Sequence, residues 1–520
     1  MSDQPRGHGQ QGSGGGRQRR NEQGRERNRG GVADRRFSTA APSQRKRVAD
    51  PARLTAFEVL RAVASEDAYA NLVLPARIRE RGLDRRDAGF ATELAYGALR
   101  GQGLYDAVLA KCVDRPLGQL DPAVLDALRI GAHQILAMRV PTHAALDETV
   151  SLTRAVIGAG PSGLVNAVLR KVTAHNLQEW TDVLLEGVED PAARDALAHS
   201  HPEWIVRALR QSLVAHGRSA GEITELLEAD NLAPVVNLVA LPGLGSLDEA
   251  FENGAEPGEL APDSAYYAAG DVSRLRSVRA GTTRVQDAGS QLVARALAEE
   301  PIEGRDTDWL DLCAGPGGKA SLLAAIAAER GAELTANEPA PHRAELVRQA
   351  MAAVPRDAWS VVVGDGRRYL EIPADQRFDR VIVDAPCSGL GALRRRPESR
   401  WRKTPRDIAE LTILQGELLD AALAAVRPGG VVAYATCSPH PAETTAVVDD
   451  ALRRHPEARL LDTGAAIERV GIREVGGARP AGSGAGSTVQ LWPHVHRTDA
   501  MFLALITVDA PAGEPAAEKG

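Results

Sequence analysis

The second half of the chain alternates short apolar segments with stretches of helical periodicity. This pattern predicts an α/β domain with a mostly parallel, doubly wound sheet, because a helix between two strands returns the chain for parallel pairing. The predicted strands are Trp309–Leu312, Glu333–Asn337, Ser360–Val363, Arg380–Asp384 and Val431–Thr436. The predicted helices are Lys319–Ala328, His342–Ala353 and Asp407–Val426, and a glycine-rich loop precedes a last strand pair near Val489–Trp492 and Met501–Thr507.

The first half shows helical periodicity instead. Asp121 followed by Pro122 is a typical helix start, an N-cap with proline in the first turn. Residues 1–47 are rich in Gly, Gln, Arg and Ser and cannot bury enough apolar surface to order themselves. The sequence therefore predicts a disordered basic arm over 1–47, an all-α domain over 48–175, a connecting subdomain over 176–284 with a strand at Val235–Leu241, the α/β domain over 285–508, and a flexible tail over 509–520.

The formal net charge of −7 hides an uneven distribution. Of 62 Lys and Arg and 69 Asp and Glu, 12 and 4 lie in residues 1–47, so this segment carries +8 and the remainder −15. A basic arm on an acidic body suggests interaction with nucleic acid. Arginine supplies nearly all positive charge throughout the chain, however, so composition alone leaves the partner open.

Cysteine usage and hydropathy exclude several classes of protein. The four cysteines contain no CxxC pair, which argues against a disulfide framework and a zinc ribbon. No apolar run approaches the ~18 residues of a membrane span, and the first residues lack the apolar segment of a secretory signal. We expect a cytoplasmic monomer without a metal or a membrane partner.

Three features at predicted strand ends indicate a cofactor that contains a nucleoside. The loop Asp311–Lys319 follows a strand and opens a helix, and its glycines let backbone N–H groups approach a ligand. Glu338, at the end of the next strand, can accept hydrogen bonds from a ribose. Asp365, after the third strand, could hold the amine of an adenine. The loop lacks the GxGxxG and Walker patterns, which lowers NAD and ATP as candidates.

Two cysteines follow the fourth and fifth predicted strands. Cys387 lies in Pro-Cys-Ser and Cys437 in Thr-Cys-Ser, so both should lie at the edge that carries the glycine loop. A thiolate can add to an electrophilic carbon, and nearby cations such as Lys319 lower its pKa. Cys112 lies in a helical apolar stripe and is expected in the core, and Cys313 is expected to contribute its backbone only.

A basic segment with an embedded tryptophan follows Cys387. Such a run is usually a solvated face, but its position beside the predicted catalytic edge makes phosphate contacts and base stacking plausible. The predicted RNA-binding residues are Arg394, Arg395, Arg396, Arg400, Trp401, Arg402 and Lys403.

These motifs together resemble one family. The segments QDAGSQ (286–291), DLCAGPGGK (311–319), GDGR (364–367), DAPCSGLGALRRRPESRW (384–401) and ATCS (435–438) stand in the order seen in RNA 5-methylcytosine methyltransferases of the Nol1/Nop2/Sun class. The helical domain is similar to NusB, an RNA-binding factor, and the fusion resembles the RsmB/Sun (Fmu) family. The resemblance covers roughly residues 48–508. It implies a NusB-like all-α domain joined to a Rossmann-like methyltransferase domain, S-adenosyl-L-methionine as cofactor, and 16S ribosomal RNA as partner.

The resemblance also implies roles for single residues. Cys437 would be the nucleophile that adds to carbon 6 of cytosine, Cys387 would help to release the product, and Asp384 and Lys319 would lie beside the reacting ring. Glu338 would bind the ribose hydroxyls. The full cofactor set implied is Cys313, Ala314, Gly315, Pro316, Gly317, Gly318, Lys319, Glu338, Arg343, Asp365 and Asp384.

Two departures from the family pattern bear on target identity more than on reaction type. Many members continue from Thr-Cys-Ser to Glu-Asn-Glu, whereas this chain keeps only the first acid, Glu443. Near the C-terminus, Asp499–Phe502 reads Asp-Ala-Met-Phe in place of Asp-Gly-Phe-Phe. Two alternatives stay open: transfer RNA as the substrate, and a non-catalytic NusB-like RNA-binding factor.

Overall fold

The computed structural model describes residues 49–268, 270–480 and 486–509. The predicted arm of residues 1–47 lies outside the described residues, as do residues 510–520 of the predicted tail and residues 481–485 of the glycine-rich loop. Within the described ranges, no helix has both the length and the apolar composition needed to cross a membrane.

Residues 51–231 form helices joined by short turns. Asp50, Asp121 and Asp190 each cap a helix through their side chains, with proline in the first turn, so the predicted start at Asp121 is confirmed. The helices are α1 (Pro51–Ser65), α2 (Ala70–Arg81), α3 (Arg85–Arg100), α4 (Gln102–Cys112), α5 (Pro122–Leu136), α6 (Thr142–Val156), α7 (Ser162–Val172), α8 (Leu177–Leu185), α9 (Pro191–Ala198), α10 (Glu203–Ala215) and α11 (Ile223–Asn231).

The first seven helices pack around two apolar clusters. One joins α1, α3 and α5 around Leu94 and Ile130, and the other joins α4, α5 and α7 around Leu128. Gly97 of α3 lies against the ring of His133, where a Cβ would stand 2.1 Å from Nε2. The glycine therefore sets how closely α3 and α5 approach.

A small antiparallel sheet follows the helices. Its strands are β1 (Val236–Ala240), β2 (Glu256–Pro257), β3 (Ser264–Tyr267) and β4 (Thr283–Val285), in the order β2-β3-β1-β4, with α12 (Asp248–Glu252) and α13 (Arg276–Ala280) between them. The predicted strand at Val235–Leu241 is confirmed as β1. The other strands were not predicted, because they are only two to four residues long and carry no clear alternation.

The large sheet confirms the doubly wound α/β prediction. Strands β5 to β9 are parallel, β13 runs antiparallel to β9, and the order is β11-β12-β13-β9-β8-β5-β6-β7, with β10 on β13. The elements are α14 (Ala288–Glu299), β5 (Asp308–Asp311), α15 (Gly318–Glu329), β6 (Glu333–Glu338), α16 (Pro341–Ala350), β7 (Trp359–Val363), β8 (Phe378–Asp384), α17 (Pro405–Ala425), β9 (Val426–Thr436), α18 (Thr445–Arg454), β10 (Ala458–Leu460), α19 (Thr463–Val470), β11 (Ala478–Pro480), β12 (Ser487–Gln490), α20 (Pro493–His496) and β13 (Phe502–Val508).

Each face of the large sheet buries its own apolar cluster. Helices α14, α15, α16 and α19 cover one face, where Ile382 of β8 is buried. Helices α17 and α18 cover the other face, where the neighbouring residues Val381 and Val383 are buried. Alternate residues of β8 thus fill opposite layers, as the two-residue period of a strand requires.

The first part of the basic segment binds carboxylates inside the protein. Arg394 Nη2 lies 3.0 Å from Asp287 Oδ1, and its Nε lies 2.9 Å from Asp499 Oδ1. Arg395 bridges the same two carboxylates, at 2.5 and 2.9 Å. Asp287 also caps α14 and accepts from Thr498 Oγ1. The cluster therefore joins the segment after Cys387 to the start of α14 and to the loop before β13.

The later part of the segment joins the sheet to the helices. Arg400 is 0% exposed, and its guanidinium donates to the carbonyls of Arg100, Ser200 and Asp230 and to Asn231 Oδ1, at 2.7 to 3.2 Å.

Two neighbours of Arg400 reach the turn between α1 and α2. Arg402 donates to the carbonyls of Val63, Asp67 and Ala68. Glu398 accepts from the N–H of Ala70. This contact and those of Arg400 place the segment at the junction between the helical region and the sheet.

The guanidinium groups of four predicted RNA-binding residues bind protein acceptors instead, which argues against that role for them: Arg394, Arg395, Arg400 and Arg402. Arg396 and Trp401 remain exposed and Lys403 is half-buried, so these three are still available for RNA. The sequence could not separate the two groups, because the acceptors lie 103 to 339 residues away along the chain.

We expect Arg400→Ala to lower the free energy of unfolding by about 3 kcal/mol, because the change leaves three buried carbonyls and the Asn231 amide oxygen without this donor. Thermal or urea unfolding of the purified protein measures this. Arg406→Ala is the matched control, since that side chain is 88% exposed and, among the residues that the structure describes, pairs with Glu410 of its own helix. Equal unfolding midpoints for the two variants would contradict a structural role for Arg400.

Candidate active site

The order of the strands reverses at β5, which lies between β6 and β8. A parallel sheet binds its ligands beyond the carboxyl ends of the strands at such a switch point. The loops after β5, β6, β7, β8 and β9 all reach this edge, and they carry the residues predicted for the cofactor and for catalysis.

A buried asparagine holds the loops after β5, β6 and β7 together. Asn337 Nδ2 donates to the carbonyls of Leu312 and Gly364, both at 3.0 Å, and the Asn337 carbonyl accepts from Ala314 N at 2.9 Å. The sequence pattern did not single out Asn337. The sequence feature that could have marked Asn337 is its position: it is a polar residue next to Glu338, at the end of an apolar strand.

The glycine loop lies directly against β6 and α16. A Cβ on Gly315 would stand 2.1 Å from Glu338 Oε2, and a Cβ on Gly317 would stand 2.5 Å from Ala350 Cβ. Gly317 caps α15 with a φ of 105°, a conformation that residues with a side chain rarely adopt. The missing side chains thus allow the loop backbone to pack closely against Glu338, at the end of β6, and against Ala350 of α16.

Glu338 and Arg343 connect the loop to the second strand. Glu338 is buried and accepts from Ala340 N at 3.1 Å, and its Oε2 lies 3.3 Å from Arg343 Nη2. Arg343 Nη2 also donates to the Gly315 carbonyl at 2.8 Å. Arg343 therefore holds the glycine loop and the Glu338 carboxylate together, with its own side chain partly exposed to solvent.

Asp365 lies exposed at the end of β7. Its carboxylate accepts from the Arg367 backbone N–H at 3.0 Å and pairs with the Arg367 guanidinium, which also reaches Glu417. Hydrogen bonds from Arg367 hold the pKa of Asp365 below its usual range. The Asp365 carboxylate is therefore ionised at neutral pH and can accept hydrogen bonds at the edge that carries the glycine loop.

Lys319 and Asp384 form an ion pair at the centre of the edge. Lys319 Nζ lies 2.8 Å from Asp384 Oδ2 and 3.3 Å from Ser290 Oγ. Burial opposes the charge of Lys319, but the Asp384 carboxylate outweighs it and raises the lysine pKa. The ammonium group therefore stays charged at neutral pH.

Asp311, the last residue of β5, begins the predicted loop Asp311–Lys319, but the sequence pattern assigned it no role of its own. Its Oδ1 accepts from Cys313 N at 3.2 Å, and among the described residues its buried Oδ2 has no hydrogen-bond partner. Burial and the charge of Asp384 raise the pKa of Asp311 to about 7. The signal in the sequence was an acid at the end of an apolar strand, directly before the glycine loop.

The two predicted cysteines lie in contact. Cys387 Sγ is 3.3 Å from Cys437 Sγ, and both side chains are half-buried. The hydrogen bond between the two sulfurs lowers the pKa of Cys437, and the charges of Lys319 and Arg396 lower it further, whereas burial and Asp384 oppose this shift. The same hydrogen bond, together with burial, raises the pKa of Cys387 well above its ordinary value. The surroundings of the pair therefore favour the thiolate form at Cys437 over that at Cys387.

The other cysteines lie elsewhere. Cys112 is buried in the helical core, as predicted. Cys313 lies in the glycine loop with its thiol against the apolar cluster on the α17 face. Burial raises its pKa well above the ordinary value, so Cys313 remains a neutral thiol.

A buried carboxylate lies behind the two thiols. Glu443 belongs to a short 3-10 turn after β9 and is 0% exposed. It accepts from Ser388 and Ser438, the residues that follow Cys387 and Cys437. The sequence pattern marked Glu443 only as a retained acid and gave it no role.

Two family models match the chain. The model described as 16S rRNA methyltransferase RsmB/F matches residues 296–507, which include both thiols and the glycine loop. The model described as NusB family matches residues 50–174, which span α1 to α7.

Similar proteins match most of the chain. One relative is Rv1407 of Mycobacterium tuberculosis strain H37Rv, which is named as a methyltransferase without a stated substrate. It is 48% identical over 466 residues, which are 89% of this chain and 97% of that protein. The ribosomal RNA small subunit methyltransferase B of Pseudomonas putida is 34% identical and covers 79% of this chain and 91% of its own. The protein of the same name from Erwinia tasmaniensis is 32% identical and covers 79% and 92%.

Comparison of structures agrees at the level of fold. The crystal structure of PH0851 superposes with a TM-score of 0.72 over 88% of this chain and 99% of that chain, at 21% identity. The relatives above 30% identity establish an enzyme family, which removes the alternative of a non-catalytic RNA-binding factor. This chain belongs to the RsmB/F family of S-adenosyl-L-methionine-dependent RNA (cytosine-5) methyltransferases, with an N-terminal NusB domain.

Proposed function

We propose that this enzyme methylates a cytosine of small-subunit ribosomal RNA and that Cys437 and Cys387 perform the reaction. The observation that carries the proposal is the 3.3 Å contact between the two thiols, on the edge that also holds the glycine loop. The relatives from Pseudomonas putida and Erwinia tasmaniensis, both named for the small-subunit RNA, support the choice of substrate.

The residues at this edge fit S-adenosyl-L-methionine, which supplies the methyl group when it is bound. Gly315 and Gly317 keep open the space that a Cβ would fill. The Glu338 carboxylate suits the hydroxyls of a ribose, and Asp365 suits the amine of an adenine. We assign the cofactor to these two acids, to the loop Cys313–Lys319, to Asp384 and to Arg343, which also holds the loop through the Gly315 carbonyl.

Cys437 begins the reaction. Carbon 5 of cytosine is too weak a nucleophile to take a methyl group unaided. The Cys437 thiolate adds to carbon 6, which forms the S–C bond and moves the ring electrons so that carbon 5 becomes enamine-like. Lys319 and Asp384, paired beside the thiolate, lie where they can contact the ring around N3 and stabilise this adduct.

Cys387 assists the release of the product. After methylation, the proton on carbon 5 must be removed and the C6–S bond must break. The electron pair of the departing C–H bond restores the C5–C6 double bond, and the pair of the C–S bond returns to Cys437 as its thiolate. A water molecule takes the proton from carbon 5. The Cys387 thiol, 3.3 Å from the Cys437 sulfur, assists the elimination by donating a hydrogen bond to that sulfur as it leaves carbon 6, directly or through water.

Substitution of each thiol tests these roles. We expect Cys437→Ala and Cys387→Ala each to lower methyl transfer by about 10²-fold or more, but for different reasons. Cys387→Ala can still form the bond to carbon 6 and should accumulate a covalent RNA adduct on a denaturing gel, which Cys437→Ala cannot form. Cys112→Ala, the control, removes a thiol from the helical core and should retain transfer. If neither active-site variant differs from the control, or if Cys437→Ala forms the adduct, the assigned roles are wrong.

The ribose contact can be tested by calorimetry. Glu338→Gln removes a charge that accepts hydrogen bonds, so we expect the affinity for S-adenosyl-L-methionine to fall by about tenfold or more. Glu345→Gln is the matched control, because Glu345 lies on α16 with its side chain largely exposed and pairs with Arg348. Equal affinities in the two variants would place the cofactor elsewhere.

The substrate is tested with labelled S-adenosyl-L-methionine and RNA that lacks its modifications. We expect transfer to small-subunit RNA and none to transfer RNA, with the labelled product identified as 5-methylcytosine. Bisulfite sequencing of cellular RNA with and without the gene then locates the cytosine. Labelling of transfer RNA alone would overturn the proposed substrate.

A further inference from the structure

Glu443 accepts hydrogen bonds from both loops that carry the cysteines. Its Oε1 accepts from Ser388 N at 2.7 Å, and its Oε2 accepts from Ser388 Oγ at 2.5 Å and Ser438 Oγ at 2.7 Å. Gln415 Nε2 of α17 donates to Oε1 at 3.1 Å. This carboxylate thus has four donors among the described residues, in a site without solvent contact.

These donors stand next to the two thiols along the chain. Ser388 directly follows Cys387, and Ser438 directly follows Cys437. Gln415 also donates to the carbonyl of Pro386, the residue before Cys387, at 2.8 Å. The backbone therefore has little freedom to move one thiol away from the other while Glu443 holds both serines.

Glu443 is also fixed from its own side. The Tyr434 hydroxyl of β9 donates to the Glu443 carbonyl at 2.8 Å, and Ser438 Oγ accepts from His440 N at 3.2 Å. The turn that carries the carboxylate is thus tied to the strand that ends at Cys437. Because the Glu443 carboxylate is itself held in place, its hydrogen bonds can fix the positions of the two loops that carry Cys387 and Cys437.

The charged groups around the thiols differ in sign. Cys437 faces Lys319 and Arg396, which favour its thiolate, and Asp384, which opposes it. Cys387 has the Glu443 carboxylate among its neighbours. After the hydrogen bond to Cys437 and burial, the charges of Cys437 and Glu443 raise the pKa of Cys387 further.

We propose that Glu443 is the positioning residue of the reaction: it holds the two sulfurs in contact and keeps the shared proton on Cys387, so that Cys437 is the nucleophile. The proposal rests on the roles proposed above for the two thiols. Glu443 itself touches neither thiol in the described hydrogen bonds and acts through Ser388, Ser438 and its charge.

The test measures which thiol is reactive in the free enzyme, with no RNA present. The full-length protein is treated with a substoichiometric amount of iodoacetamide at neutral pH, and mass spectrometry of peptides gives the ratio of labelled Cys437 to labelled Cys387. We expect the wild type to label Cys437 preferentially. Glu443→Gln keeps the size of the side chain and removes its charge, and we expect this ratio to fall by about tenfold, the effect of one pKa unit.

A merely structural role would change the labelling of both thiols together and leave their ratio unchanged. Glu410→Gln is the control, because it removes an exposed carboxylate from the same helix that carries Gln415. Glu443→Asp keeps the charge and should restore most of the preference for Cys437. An unchanged ratio in a folded Glu443→Gln protein would overturn the proposal.

Two serine variants keep the proposal testable if Glu443→Gln does not fold. Ser388→Ala and Ser438→Ala each remove a hydroxyl donor to Glu443 and leave its charge in place. We expect kcat for methyl transfer to fall by about tenfold in each, with KM for RNA unchanged, because the contact between the thiols loosens without loss of RNA contacts. Wild-type kcat in both variants would overturn the positioning role.

The two levels of the proposal can fail separately. If small-subunit RNA is not methylated but the labelling ratio depends on Glu443, the proposed substrate is wrong and the positioning role stands. If methylation and adduct formation proceed as proposed while the labelling ratio is the same in Glu443→Gln and wild type, the positioning role is wrong and the function stands.

Discussion

The parallel pairing of β8 with β9 is the constraint on which the active site depends. Its register sets Asp384 beside Ala435. Cys387 follows three residues after Asp384 and Cys437 two residues after Ala435, so both thiols rise from the same edge and meet. A slip of one residue would turn every side chain of a strand to the opposite face. The alternation that buries Val381 and Ile382 in different layers therefore also fixes the contact between the thiols.

The second constraint is the use of arginine inside an acidic protein. The segment after Cys387 places Arg394 and Arg395 between the carboxylates of Asp287 and Asp499. The same segment contacts the helical region through the buried Arg400. Some of the carboxylates that make residues 48–520 acidic thus serve as partners for these arginines. Net charge is a poor guide to the surface that RNA meets, because a paired and buried carboxylate contributes to the sum but contacts no solvent.

The sequence predicts those parts of the fold that depend on local pattern. The five parallel strands, the helix start at Asp121 and the presence of Cys387 and Cys437 at neighbouring strand ends all follow from residues close together in the chain. Contacts between distant residues could not be predicted in this way. Thr498 reaches Asp287 across 211 positions, and no local pattern shows that Arg400 faces inward while Trp401, the next residue, is 38% exposed. The short strands of the small sheet were missed for the opposite reason, since two to four residues carry too little periodicity to read.

Two identical side chains in contact can perform different roles only if their surroundings differ. Cys387 and Cys437 are both half-buried and both followed by serine, so burial alone does not separate them. Lys319 comes from the glycine loop after β5 and reaches the Cys437 side, whereas Glu443 comes from the turn after β9 and adds negative charge beside Cys387. The sheet brings these opposite charges to one edge from loops more than a hundred residues apart. The proposed division of roles between the two thiols rests on this difference in charge, which the fold provides before any substrate arrives.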